Sequence, residues 1–96
     1  MASVVVTIKL MPKEPGVNWD SVYGKAQEKI RAFVDEKHKT GEMRKEIAPI
    51  GFGLSSLKIT FVMDEKIGGT EGLEESIKKI EGVESVETTD VRRAIG

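Results

Sequence analysis

Three observations predict a two-layer α+β fold for this chain. Residues 4–11 and 56–63 alternate apolar and polar side chains with the period of a half-buried strand. After each such stretch comes a segment whose apolar residues recur every three or four positions, as on one face of a helix. Pro49 interrupts a third strand-like stretch and places it at a sheet edge, where a missing ladder donor is tolerated.

In the first strand Val4, Val6, Ile8 and Leu10 share the core face, and Val5, Thr7, Lys9 and Met11 point away. Pro12 and Pro15-Gly16 stop it. Asn18 is placed to cap a helix, Asp20 lies in its first turn, and the helical pattern runs to about Lys37. Its inward stripe is Val22, Ala26, Ile30 and Phe33 or Val34, with Trp19 packing at the entrance. Gly24 costs this helix about 1 kcal/mol. Lys39-Thr40-Gly41 is the exit loop, residues 43–50 the edge strand, and Gly51-Phe52-Gly53 a turn. The clearest strand follows, with Leu57, Ile59, Phe61 and Met63 inward and Ser56, Lys58, Thr60 and Val62 outward. Beyond a loop at 64–69, Thr70 caps a short helix with a core stripe of Leu73, Ile77 and Ile80. Glu74–Lys78 and Glu75–Lys79 are outward pairs in the favourable order, and Gly82 ends the helix. Residues 83–92 form the last strand, with Val86 and Val91.

The resulting β-α-β-β-α-β order is that of a ferredoxin-like sandwich: a four-stranded antiparallel sheet in the order 4-1-3-2, right-handed crossovers, and two helices on one face. Residues 1–96 read as a single domain. We place strands one and three side by side in the same direction, with two and four opposed to them. On that reading the Gly51-Phe52-Gly53 turn and the chain's exit at 92–96 share one end of the sheet, within ~15 Å across three strand spacings.

Composition excludes several chemistries. Apolar residues make up 39% of the chain, enough for a modest core, and no apolar run approaches the length of a membrane helix. Met1-Ala2-Ser3 leads straight into a strand without a secretory signal, so a soluble cytoplasmic protein is expected. The absence of cysteine removes disulfides, thiolate metal sites and cysteine nucleophiles. His38, the single histidine, is too little for a zinc site and is expected to be exposed beside a helix end. Ser55, Ser56 and Thr60 have no evident His/Asp partner, so no hydrolytic triad is expected. Gly51 to Ser56 opens like a dinucleotide-binding loop but lacks the third glycine, and a strand follows where a helix is needed. Asp64-Glu65 and Glu74-Glu75 read as solvated carboxylates. A net charge of −1 does not mark a nucleic-acid binder, and the outward sheet positions offer no aromatic for base stacking. Neither a cofactor nor a metal is implied.

Two features remain. Arg92 and Arg93 follow an acidic stretch at 64–90, as a contact point or as a merely solvated pair. Phe52, between two glycines, either folds back over the end of the core or stands out as an anchor for another protein.

The segment Ala48-Pro49-Ile50-Gly51-Phe52-Gly53-Leu54, followed by Leu57-Lys58-Ile59, resembles the C-terminal domain of the translation elongation factor 1-beta family in its short archaeal form. Asp64-Glu65-Lys66, Thr70 with Leu73-Glu74-Glu75, and Thr89-Asp90-Val91-Arg92-Arg93 extend the resemblance, which is densest over 48–93 and recurs at 4–12. It implies a guanine nucleotide exchange factor in protein biosynthesis, without catalytic residues of its own, acting on the GTPase elongation factor 1-alpha. The nucleotide would be bound by that partner, and no membrane or direct nucleic-acid contact is implied. The resemblance also implies a partner-binding set of Gly51, Phe52, Gly53, Asp90, Arg92 and Arg93. In eukaryotic relatives the glycine-flanked aromatic contacts the GTPase, which carries over to Phe52. Their tail lysine, which reaches the Mg²⁺ and phosphate region, falls on Gly96 here, leaving Arg92 or Arg93 to supply the charge.

Two rival readings stand beside this one. The first is a small ferredoxin-like regulatory or oligomerisation module that binds a small molecule through its open sheet face. The second is a hydrolase of acylphosphatase type, for which residues 12–16 lack a phosphate-cradling loop with arginine.

Overall fold

Along β1 (Ser3–Pro12) every second side chain is buried, with Val4, Val6, Ile8 and Leu10 on the core side. The structure, a computed structural model, describes residues 3–94. Gly96, the position aligned with the family lysine, therefore lies outside the described residues, as do Met1, Ala2 and Ile95. Helix α1 (Trp19–Phe33) starts where predicted, the Ser21 N–H donating to the Asn18 side chain at 3.2 Å. Trp19, Val22, Ala26 and Ile30 form its buried stripe, and Val34 continues it beyond the last helical residue.

The helix stops short of the predicted Lys37 because tertiary bonds outcompete it. Val34 and Asp35 are extended, and the Asp35 carboxylate accepts the Asp64 N–H at 2.7 Å and meets the His38 ring. Glu36–His38 then make a single 3₁₀ turn. Strand β2 (Arg44–Gly51), strand β3 (Leu54–Asp64), helix α2 (Glu71–Lys78) and strand β4 (Val83–Arg93) complete the order. The sheet runs β2-β3-β1-β4, with β2 at the edge that Pro49 requires.

The strand directions correct our expectation. β1 is antiparallel to both β3 and β4, and β2 is antiparallel to β3, so β1 and β2 run one way and β3 and β4 the other. Helix α1 returns the chain to the end where β1 began, which makes β2 parallel to β1 although β3 lies between them. The hairpin then reverses β3. As a consequence, the β2–β3 turn and the end of β4 lie at opposite ends of the sheet. Arg93 pairs with Val4 and Leu57 with Leu10, so β3's length, about 30 Å at ~3.3 Å per residue, separates the two ends. The molecule measures 43 Å along its longest axis.

One core joins the inward faces of β1 and β3 to both helices, gathering Leu57, Ile59, Phe61 and Met63 with Leu73 and Ile77 of α2 and with Ile80 just beyond its end. Local details depart from the predicted pattern. Ser56 is buried, its hydroxyl donating to the Ala48 carbonyl on the edge strand at 3.5 Å. Thr70 stands at the N-cap position, but its hydroxyl bonds the Glu74 carboxylate instead of the backbone. That carboxylate also accepts from Thr88 on β4, so Glu74 ties helix to strand rather than facing outward. Gly82 has φ +96 in the turn after α2, where an added Cβ would press on Val17 at 3.2 Å.

Candidate functional site

The hairpin between β2 and β3 is closed by Gly51 and Leu54, leaving Phe52 and Gly53 as its two central residues. Their φ values of +55 and +75 are both positive, as in the turn that matches strand twist and favours Asn-Gly. Gly51, at φ +106, makes three successive left-handed residues. Glycine adopts this region freely, but a side chain in it costs about 1–2 kcal/mol. Phe52 nevertheless sits there, 98% exposed. Of the two accounts left open by the sequence, the structure selects the protruding ring. Ile47 and Ile50 are also exposed along β2, so the apolar surface runs from the edge strand to the tip.

At the far end, an irregularity in β4 sets the facing of the basic pair. The register against β1 shifts between Thr7 and Ile8, leaving Thr89 as an extra residue. Before the shift Val86 and Thr88 face the helices. After it Val91 and Arg93 do, while Asp90 and Arg92 turn to the open face. Neighbouring arginines therefore project from opposite sides of the sheet. Arg92 Nε pairs with Asp90 at 2.8 Å, and Arg93 pairs with Glu65 at 2.6 Å, which raises the Arg93 guanidinium pKa above its ordinary value. Glu65 is thus ion-paired rather than simply solvated. The predicted site residues form two groups: Gly51, Phe52 and Gly53 at the tip, and Asp90, Arg92 and Arg93 at the C-terminal end. Their expected common rim does not exist.

His38 departs most from expectation. Its side chain is 15% exposed, with Nδ1 2.7 Å from Asp35 Oδ2 and Nε2 3.3 Å from Ser3 Oγ. An ionised carboxylate only accepts, so Nδ1–H donates to Asp35, while Nε2 and the Ser3 hydroxyl share the second bond. Partial burial alone would push the Asp35 carboxyl up, but the Asp64 N–H and the His38 ring outweigh it and hold the carboxyl below its ordinary range. Ser3, His38 and Asp35 stand in the order of a hydrolytic relay, an arrangement that no residue spacing signals. Two backbone donors beside it are already engaged, however, Asp64 N–H by Asp35 and Ala94 N–H by the Ser3 carbonyl. Neither is free to stabilise an oxyanion. The array works as a clasp.

On the open face, the row Glu46–Lys58–Lys9–Glu87 sets two central lysines between flanking carboxylates, and the row Arg44–Thr60–Thr7–Asp90 carries opposite charges at its two ends. Thr7 and Thr60 approach to 3.2 Å within the second row. Among the described residues, no helix is long and apolar enough to cross a membrane and no three His, Asp or Glu side chains gather as a metal site.

Comparison with known proteins supplies a family. The model of the EF-1 guanine nucleotide exchange domain matches residues 5–94, including the 13–46 stretch where the sequence resemblance was thin. The chain is 44% identical to elongation factor 1-beta of Methanothermobacter thermautotrophicus, covering 97% of this chain and 98% of that one. It is 38% identical to elongation factor 1-beta of Methanocaldococcus jannaschii, covering 98% and 100%. Elongation factor 1-beta of Staphylothermus marinus is 35% identical over 97% and 98%. Among solved structures, the de novo designed protein Foldit4 superposes with a TM-score of 0.60 at 17% identity, covering 98% of each chain. That last likeness concerns the fold alone.

Proposed function

The chain belongs to the EF-1 guanine nucleotide exchange domain family, and on that premise we propose that it promotes GDP release and GTP reloading on elongation factor 1-alpha during peptide-chain elongation. Residues 1–96 act as one exchange-factor domain in the cytoplasm. The factor performs no bond chemistry, and the nucleotide stays with the GTPase. Exchange follows from linkage: a protein that binds the nucleotide-free GTPase more tightly than the GDP form weakens GDP by the same factor. Abundant GTP then refills the site.

The observation that carries this reading is Phe52. A fully exposed aromatic ring on a strained left-handed backbone is costly in the free protein, and a partner that buries the ring recovers the apolar area. Gly51 and Gly53 are the residues that permit the turn. The basic end is a second point of contact, so a partner engaging both must follow most of the 43 Å long axis. For Arg92 and Arg93 to reach such a partner, the pairs with Asp90 and Glu65 must be shared or exchanged.

The test is the release of fluorescently labelled GDP from elongation factor 1-alpha. The wild-type chain is expected to accelerate release, and Phe52→Ala to lose most of the acceleration. An unchanged release rate with wild type would remove the proposal.

A further inference from the structure

The C-terminal end carries a set of bonds that converge on one pair of side chains. Asp35, in the extended segment after α1, accepts the N–H of Asp64, the last residue of β3, at 2.7 Å. It also takes the Nδ1–H of His38 at 2.7 Å. His38 Nε2 meets the hydroxyl of Ser3, and the Ser3 carbonyl accepts the N–H of Ala94 at 2.8 Å. Ala94 directly follows Arg93. On the other branch, Glu65, the neighbour of Asp64, holds the Arg93 guanidinium at 2.6 Å. Arg93 is thus fixed twice, through the backbone next to it by Ser3 and through its side chain by Glu65. Both supports trace back to Asp35 and His38.

Strand ends fray unless tied down, and a long arginine side chain loses much rotamer freedom when it docks. Ladder bonds to β1 hold the backbone of β4 but do not choose a direction for the guanidinium. We propose that Asp35 and His38 are positioning residues for Arg93, keeping it oriented toward the GTPase before the complex forms. The proposal rests on the exchange reading and adds to it a role for two residues outside the family-derived site. Neither residue touches the partner; both act through Arg93. The effect belongs to preorganisation: an arginine already aimed gives up less freedom when it engages in the release step, after the Phe52 tip has docked.

The experiment measures labelled-GDP release from elongation factor 1-alpha over a range of exchange-factor concentrations. It uses wild type, H38A, R93A and the double variant, each confirmed as folded by its amide spectrum. H38A is expected to lower the maximal release rate roughly three- to tenfold while leaving the half-saturating concentration within about twofold, since the Phe52 tip is intact. R93A should lower it at least as much, and adding H38A to R93A should cause no further loss. H38N keeps a donor at the Nδ1 position for Asp35 and is expected to recover part of the rate. In the free protein, the Arg93 Nε–H resonance should shift in H38A, a readout that covers a variant too weak for kinetics. Equal losses from H38A with and without Arg93, an inert R93A, or an unmoved Arg93 resonance would each overturn the inference. Failure of wild type to release GDP would instead strike the exchange proposal itself.

Discussion

The two ends of the sheet are held by opposite means. At the hairpin tip the backbone does everything: three left-handed residues turn the chain and push one ring into solvent. At the C-terminal end side chains do the holding, through Asp35, His38, Ser3 and Glu65. The tip is a rigid local device that tolerates few backbones but imposes no demand on distant residues. The far end is a distributed device in which segments far apart in sequence must all be present. A protein that meets one partner at two places has, on this view, an anchor built from turn chemistry and a charged end built from tertiary contacts.

The largest expected effect separates function from stability at the tip. Phe52→Asn places a residue that accepts the left-handed region where phenylalanine resists it. Chemical denaturation should show stability unchanged or raised by about 1 kcal/mol. GDP release should fall about 30-fold, the scale of a hot-spot truncation near 2 kcal/mol. Loss of both together would mean that Phe52 supports the fold and that the contrast between the ends is false. Next in size, Gly53→Ala or Gly51→Ala should cost about 1–2 kcal/mol each in the same experiment. Nothing lies within 4 Å of the added Cβ at either position, so the whole cost is backbone strain. A neutral result would show that the turn relaxes to another type.

The same division explains what was legible in the sequence. Strands, helices, edge position and core came through because each depends on periodicity or on one proline, signals confined to a few neighbouring residues. The tip was legible for the same reason, since Gly-Phe-Gly is a local motif, although burial of Phe52 depends on what surrounds it. Strand directions went astray through one step of connectivity: a helical crossover restores the starting direction, and β1 and β3 must then oppose each other. The clasp at the far end was invisible. Ser3, Asp35, His38 and Asp64 carry no common spacing, and Asp35 overrides a helical pattern that by itself continues to Lys37. The strand irregularity at Thr89, which turns Arg93 to the helix side and Arg92 to the open face, likewise leaves no mark beyond a pair of threonines.

A smaller effect distinguishes the ends by pH. The Asp35 carboxyl titrates below its unfolded value because its charged form is bonded to the Asp64 N–H and to His38. Its contribution is therefore fully present above about pH 4 and fades as pH falls through the lowered folded value. Asp35→Asn should lower the melting temperature at neutral pH, and its difference from wild type should shrink progressively below about pH 4. Tip variants should show a difference from wild type that is flat across the same range. A gap for Asp35→Asn that stays constant into acid would mean that the carboxylate charge contributes nothing to the clasp.

The smallest effect concerns Arg92, whose side chain is 79% exposed beside Asp90. Exposed ion pairs contribute little because water already solvates both partners and salt screens them. Arg92→Ala should therefore change stability by less than about 0.5 kcal/mol in urea denaturation. That near-neutrality makes the variant informative, because any loss of GDP release in it must come from the encounter with the GTPase rather than from the fold. If the open-face arginine steers that encounter, the loss should appear in the second-order rate at low ionic strength and diminish in added salt. A destabilisation well above 1 kcal/mol would place Arg92 among the structural supports of its end, and the separation between a charge that holds and a charge that reaches outward would have to be redrawn around it.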